Sequence, residues 1–149
     1  MNFVKADPVT KIIKVKTGSP TEQHGSYSRL VAVDDWIFVS NTAGRNPATK
    51  QIPADLTEQT NQVLDNIAAA LEAVEASLAD VVSAKVFIQD PADLEEVVTA
   101  YGKRMRGIEP TLTLTCPPLG LAEYKVEIEL TAYRGAAAAE KLEIDLSAQ

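Results

Sequence analysis

The stretch from residue 124 to residue 134, YKVEIELTAYR, carries the strongest strand pattern in the sequence. Its alternate apolar residues are Val126, Ile128, Leu130 and Ala132. This period of two is typical of a strand with one buried face. Glu127 and Glu129 therefore share the opposite face. A solvated sheet surface, a pocket or a subunit interface would each explain two carboxylates there.

Further strand patterns surround this segment. They lie at residues 11–16, 30–33, 36–40, 81–89 and 111–115. Residues 11–16 are short and end at Gly18 and Pro20, which predicts an edge strand followed by a loop. The two residues Asp34 and Asp35 predict a hairpin turn between the second and third strands.

Two helices are predicted between the strands. Residues 55–78 place apolar side chains along one stripe at helical spacing, and Asp55 followed by Glu58 resembles a capping box. The second helix begins at Asp90 and Pro91 and ends near Gly107. Right-handed crossovers place both helices on one face of a mixed six-stranded sheet, which predicts a single α+β domain. The other face is left bare, and an open sheet of this size more often packs against a copy of itself, so we expect a homo-oligomer.

Composition narrows the possible functions. The chain has 149 residues and a net charge of −7, which disfavours binding of nucleic acid through a basic surface. Cys116 is the only cysteine, and no apolar run reaches the length of a membrane helix, so we expect a cytoplasmic protein that does not bind membranes. His24 is the only histidine, which predicts neither a metal site nor a metal cofactor.

Several stretches, taken together and in order, resemble the Rid family (YjgF/YER057c/UK114). They are residues 25–28 (GSYS), the hairpin ending at Ser40, residues 52–55 (IPAD) leading into 62–67 (QVLDNI), residues 86–90 (VFIQD) and residues 126–129 (VEIE). The resemblance covers residues 18–134 and implies a chorismate-mutase-like fold. We therefore expect a Rid-like domain over residues 1–134 and a C-terminal tail, 135–149, that forms a short helix, a terminal arm or a disordered segment.

The resemblance also implies a homotrimer with a central β-barrel and small-molecule clefts between subunits. The best-known members of the Rid family hydrolyse enamines and imines to ketoacids and ammonia, without a cofactor. There an arginine on the strand after the second helix binds the substrate carboxylate, and this sequence has Leu112 at that position. Leu114 replaces the small or cysteine residue two positions further on. The Ser-Gly-Gln that often follows the hairpin reads Ser40, Asn41 and Thr42 here.

The family pattern marks Glu127 as the residue that contacts the attacking water and Tyr27 as a residue lining the cleft. Arg45 and Arg29 are candidate substitutes for the missing anchor, and each is also typical of a surface charge. Leu112 and Leu114 predict a more apolar cleft and an altered substrate. Two hypotheses remain: a divergent imine or enamine deaminase that uses Glu127 and Tyr27, or a non-catalytic trimer that binds a metabolite or a partner protein.

Overall fold

The computed structural model describes residues 11–147 as three α-helices and one six-stranded sheet. The strands are β1 (Ile12–Val15), β2 (Leu30–Val33), β3 (Trp36–Ala43), β4 (Val81–Ile88), β5 (Thr111–Thr115) and β6 (Val126–Tyr133). The helices are α1 (Pro20–Gly25), α2 (Leu56–Glu72) and α3 (Leu94–Met105). Single 3-10 turns occupy Leu78–Asp80, Pro91–Asp93 and Ala136–Ala138.

The sheet is mixed and has the order β1-β2-β3-β6-β4-β5. Only β4 and β5 pair in parallel, because α3 carries the chain back across the sheet between them. All other neighbouring strands are antiparallel. The predicted α+β domain with a mixed six-stranded sheet is confirmed, and within residues 11–147 β1 forms an edge of the sheet as expected.

The core lies between α2, α3 and one face of the sheet. Alternate residues of the central strand β6 are buried there: Val126, Ile128, Leu130 and Ala132. Helix α2 contributes Val63, Leu64, Ile67 and Leu71, all fully buried. Covering that face excludes water from apolar surface, which is the main stabilising contribution to a domain of this kind. No helix among the described residues is long and apolar enough to cross a membrane.

Three elements differ from the sequence prediction. Residues 20–25 form the short helix α1, started by Pro20, where only a polar loop is expected. Strand β3 continues to Ala43, beyond the predicted end at Ser40. Helix α2 stops at Glu72 rather than near residue 78, because Glu75 takes a left-handed conformation (φ 60°) and the Ala76 amide bonds back to the Leu71 carbonyl at 3.0 Å.

The start of α2 follows from its sequence. Asp55 has an extended backbone and its Oδ1 accepts a hydrogen bond from the Glu58 amide at 2.8 Å. This bond satisfies one of the amides that a helix leaves unpaired at its N-terminus. The reciprocal bond from the Glu58 side chain, which completes a capping box, is absent among the hydrogen bonds found for residues 11–147.

Candidate functional site

Glu127 lies near the start of β6, on the face away from the helices. It is opposite Ala43 on β3 and Phe87 on β4. Its Oε2 accepts a hydrogen bond from Asn41 Nδ2 at 2.6 Å. Burial raises the pKa of the Glu127 carboxyl above its ordinary value of 4.5, and the nearby charge of Arg29 opposes that rise. A carboxyl with a raised pKa binds a proton more readily than an ordinary glutamate does.

A β-bulge brings Asn41 to Glu127. Val39 is opposite Leu130, but Thr42 is opposite Ile128, so β3 contains one more residue than β6 over this interval. A bulge of this kind bends the strand and redirects its side chains, and such bulges are common beside active sites. Ser40 is fixed in this bulge by a 2.7 Å hydrogen bond from its hydroxyl to the Ser28 carbonyl.

Arg29 holds the bulge from the other side. Its Nη1 donates to the Asn41 carbonyl at 2.9 Å and to Thr42 Oγ1 at 3.0 Å. Its Nη2 lies 3.9 Å from Glu22 Oε2, and Glu22 is only 3% exposed. The Arg29 side chain is itself 14% exposed, so this ion pair is mostly shielded from water. Arg29 therefore positions the backbone that carries Asn41 and contributes positive charge beside Glu127.

Tyr27 lies next to this arginine. The Arg29 guanidinium is 5.7 Å from the centre of the Tyr27 ring, and the tyrosine hydroxyl donates to Thr21 Oγ1 at 3.2 Å. The main chain before it is shaped by Ser26, which ends α1 in a left-handed conformation (φ 55°). The structure thus brings four side chains close together: Tyr27, Arg29, Asn41 and Glu127. Arg29 contacts both Tyr27 and the Asn41 carbonyl, and Asn41 contacts Glu127.

Leu112 and Leu114 lie on the other face of the sheet. In the parallel ladder Leu112 is opposite Ala84 and Leu114 is opposite Val86, and both partners are buried under the helices. Paired residues of neighbouring strands point to the same face. Within one chain the sheet therefore separates both leucines from Glu127, so the cleft that the family resemblance implies for these residues stays a prediction about a contact between subunits.

Leu112 instead borders a shallow groove between α3 and β5. The groove has a volume of about 350 Å³ and is lined by Tyr101, Gly102, Met105, Arg106, Glu109, Pro110 and Leu112. The Tyr101 hydroxyl is buried there without a hydrogen-bond partner among the described residues. Leu112 is 44% exposed, so it can contact a neighbouring molecule even though it faces away from Glu127.

Arg45 is engaged elsewhere. Its Nε donates to the Tyr124 hydroxyl at 3.1 Å, and its guanidinium is 5.9 Å from the centre of that ring. Its Nη1 also reaches the Lys50 carbonyl at 3.4 Å. Arg45 therefore braces its own loop against Tyr124, as a structural side chain would.

The remaining polar candidates lie outside the group around Glu127. His24 is exposed in the last turn of α1. Glu129 shares the face of Glu127 but pairs with Lys85 at 3.4 Å, an exposed ion pair of small energetic value. Residues 11–147 contain no cluster of His, Cys, Asp or Glu suited to a metal ion.

The pairing of Glu22 with Arg29 has no signature in the sequence. Glu22 is one carboxylate in a polar six-residue helix, and Arg29 is one cation before a strand. Neither lies on a periodic apolar pattern, and only the folded chain shows that both are shielded from water. The Asn41 contact is likewise hidden, because it depends on the bulge.

Comparisons with known proteins identify the relatives of this chain. Residues 17–134 match the family described as endoribonuclease L-PSP. A RutC family protein of Pyrococcus abyssi is 32% identical over 111 residues, which cover 74% of this chain and 87% of that protein. The 2-iminobutanoate/2-iminopropanoate deaminase of Bos taurus is 32% identical over 131 residues, covering 85% of this chain and 92% of the relative.

A solved structure extends the match to three dimensions. The crystal structure of Rv2704 from Mycobacterium tuberculosis, a member of the YjgF/YER057c/UK114 family, superposes with a TM-score of 0.74 at 29% identity. The superposition covers 83% of this chain and 99% of that one. The expected fold is therefore shared with a solved relative over nearly all of the relative's length.

Proposed function

The chain belongs to the endoribonuclease L-PSP family, which includes the YjgF, RutC and Rid proteins, and on that premise we propose that it is an imine or enamine deaminase. The family resemblance stated from the sequence is thereby confirmed. Relatives named as 2-iminobutanoate/2-iminopropanoate deaminases are about one-third identical to it, which supports the class of reaction. The site supports it independently.

The main observation behind this proposal is the environment of the Glu127 carboxyl. Burial raises its pKa, and its Oε2 accepts a hydrogen bond from Asn41 Nδ2 at 2.6 Å. Its other oxygen can accept a proton from water as the water oxygen attacks the imine carbon. The carbon–nitrogen double bond becomes a single bond, and the nitrogen takes up the proton. Glu127 then takes the proton of the adduct's hydroxyl and passes it to the nitrogen. The oxygen forms the carbonyl double bond as the remaining carbon–nitrogen bond breaks, which releases ammonia and a carbonyl compound. Tyr27 lines the same region and orients the substrate.

The positions of Arg29 and Arg45 favour a substrate that has no carboxylate group. Arg29 is already bonded to Asn41 and Thr42 and paired with Glu22, and Arg45 is bound to Tyr124. Neither leaves a free guanidinium fork of the kind that binds a carboxylate with two parallel hydrogen bonds. The exposed Leu112 adds apolar surface at the position where the deaminases of the Rid family have their arginine. We therefore assign neutral or aromatic imines as the preferred substrates.

A homotrimer is the proposed working form. The face opposite the helices exposes Ile12, Trp36, Phe38 and Tyr133, of which Trp36 and Tyr133 pack edge to face at 5.0 Å. The register places Ile12, Val33, Trp36 and Tyr133 in one row across four strands. A row of apolar side chains on an open sheet is typical of a subunit interface. The clefts of such a trimer would bring the β5 edge of one subunit towards another.

RNA cleavage is not proposed, although the family description names an endoribonuclease. A net charge of −7 opposes the binding of a phosphate backbone. The single cysteine is compatible with a reducing compartment, so we propose a cytoplasmic location.

Ammonia release from a panel of imines tests the assignment, with neutral, aromatic and carboxylated imines generated in situ. We expect the neutral and aromatic imines to be hydrolysed faster than in protein-free buffer, and Glu127→Gln to lose that acceleration. Glu129→Gln is the matched control, because it removes a carboxylate from the same face of the same strand and should retain the rate.

Two results would count against this function. Equal loss in both variants would place the effect in the strand rather than in Glu127. No acceleration with any imine, together with ligand binding that weakens in Glu127→Gln, would favour the non-catalytic metabolite-binding trimer.

A further inference from the structure

The segment KLEIDL, residues 141–146, has the pattern of a strand but lies outside the sheet. Leu142, Ile144 and Leu146 alternate with Glu143 and Asp145, which is the period of a strand with one apolar face. The three apolar side chains are 87%, 74% and 71% exposed. Such a stripe in water is typical of an interaction surface. The segment also lies beyond residues 17–134, which carry the family match.

The root of this segment is fixed to the domain. Asp80 is 5% exposed, and its Oδ1 accepts a hydrogen bond from the Ala137 amide at 2.9 Å. Lys141 Nζ donates to the carbonyls of Ala136, Ala137 and Ala139 at 3.0 to 3.2 Å. The apolar alternation begins at Leu142, directly after these bonds end. The domain thus presents the KLEIDL segment from a defined point.

Strand β1 offers an edge that this segment can extend. β1 is the outermost strand of the sheet among the described residues. The carbonyls of Lys11 and Val15 accept hydrogen bonds from the amides of Asp34 and Arg29, on the side of β2. By the alternation of an antiparallel ladder, the backbone groups of Ile12 and Lys14 point away from β2. They are donors and acceptors that an added strand would pair with.

The side chains of β1 match those of the KLEIDL segment. In an antiparallel register that sets Asp145 opposite Lys14, Glu143 is opposite Lys16. The same register sets Ile144 opposite Val15 and Leu146 opposite Ile13. Ile13 and Val15 are only partly buried against the core, so the new apolar pairs would cover them further. Opposite charges and apolar pairs directly across two strands both stabilise pairing.

The other edge of the sheet lacks this match. β5 reads TLTLT and carries no charged residue to pair with Glu143 or Asp145. Its apolar residues Leu112 and Leu114 could pair with the apolar side chains of the segment, but Glu143 and Asp145 would have no cation opposite them. Charge complementarity therefore selects β1.

The segment cannot reach the β1 edge of its own chain. Ala137 is bonded to Asp80, at the start of β4, and a strand added outside β1 lies five strand positions away. Five spacings of ~4.8 Å amount to about 24 Å. Glu143 follows Ala137 by six residues, and at ~3.3 Å per residue a fully extended chain carries it only about 20 Å from that bond. The partner edge must belong to another molecule.

We propose that the KLEIDL segment of one chain adds as a strand to the β1 edge of a second copy of the same chain. The segment supplies two carboxylates to Lys14 and Lys16 and an apolar stripe to Ile13 and Val15. This contact joins subunits through the region beyond the family match, and it does not depend on whether the protein hydrolyses imines.

Disulfide trapping between two variants tests this arrangement, in a Cys116→Ser background so that no native thiol competes. Val15→Cys in one chain and Ile144→Cys in another are mixed, refolded together and oxidised. We expect a disulfide-linked dimer of the two different chains. Thr113→Cys on the opposite edge replaces Val15→Cys in the matched control, which should give little product. Ile13→Cys with Leu146→Cys provides a second pair should either first variant fail to fold.

Charge reversal sharpens the same experiment. Asp145→Lys should lower the yield of the linked dimer by about fivefold, the order expected from losing an oppositely charged cross-strand pair. Lys14→Glu in the other chain should restore it. The proposal is overturned if the Thr113→Cys control links equally well, if a chain carrying both cysteines closes on itself as a monomer, or if neither cysteine pair links.

Discussion

Replacement of Arg29 by methionine tests whether this side chain holds the site together. Methionine keeps the apolar length of the side chain and removes only the charge and the donors. The Asn41 carbonyl would lose its 2.9 Å bond and Thr42 Oγ1 its 3.0 Å bond. Glu22, 3% exposed, would lose its cation. We expect the free energy of unfolding to fall substantially.

The size of the loss follows from what remains bonded. Removing one partner of a buried ion pair costs about 3–5 kcal/mol, because the other charge stays buried without compensation. Glu22 keeps hydrogen bonds from the Thr17 amide and hydroxyl, and Thr42 still donates to the Ser40 carbonyl. The Nη2 to Oε2 distance of 3.9 Å is also long for an ion pair. We therefore expect the lower end of that range, about 3 kcal/mol.

Urea unfolding, followed through the fluorescence of the single Trp36, measures this loss at one fixed protein concentration. Arg106→Met removes an exposed arginine and should change stability by less than about 0.5 kcal/mol. In the double variant Glu22→Gln/Arg29→Met the loss of unfolding free energy should be about 1 kcal/mol smaller than the sum of the two single losses. The reason is that Glu22→Gln removes the buried carboxylate that Arg29→Met would leave without a cation. If Arg29→Met behaves like Arg106→Met, Arg29 is not the support described above.

Three further predictions concern the carboxylate, a glycine and a cap. Because burial raises the pKa of Glu127, the rate of ammonia release should fall off on the acid side at a pH above the pKa of an ordinary glutamate. The free energy of unfolding of the wild type should also fall, relative to that of Glu127→Gln, as pH rises through the raised pKa, which urea unfolding at several pH values measures. Gly44→Ala puts a Cβ 2.7 Å from the Gln59 carbonyl and should lower the melting temperature by several degrees, whereas the unobstructed Gly102→Ala should not. Asp55→Ala should cost about 1 kcal/mol in the same unfolding assay through loss of the α2 cap.

Local sequence patterns were sufficient for most of the fold. The alternation in residues 124–134 gives β6 and its buried face because side-chain direction in a strand depends only on parity. The cap at Asp55 and the apolar stripe that follows give the start of α2 for a similar reason: both act within a few residues. The end of α2 was missed because Glu75 takes a left-handed turn that non-glycine residues seldom adopt.

The site was less predictable because it depends on contacts between distant segments. Glu127 could be placed on its face by parity, and the family pattern gave it a role. Its contact with Asn41 joins residues 86 positions apart and requires an extra residue in β3. The burial of Arg29 depends on Glu22 in a short helix, and neither residue has a local pattern that identifies the other. Tertiary structure alone makes these two charges a pair.

The sheet also limits how a ligand can reach the residues that the family pattern marks. Glu127 and Leu112 lie on opposite faces of one sheet, so no small molecule bound to a single subunit can contact both directly. Leu112 lies on the edge strand β5 and is partly exposed, whereas Glu127 lies on the central strand β6. A ligand could contact both only where the edge of one subunit meets the open face of another. We therefore expect a cleft between chains, as the family resemblance implies, with Leu112 from one subunit and Glu127 from its neighbour.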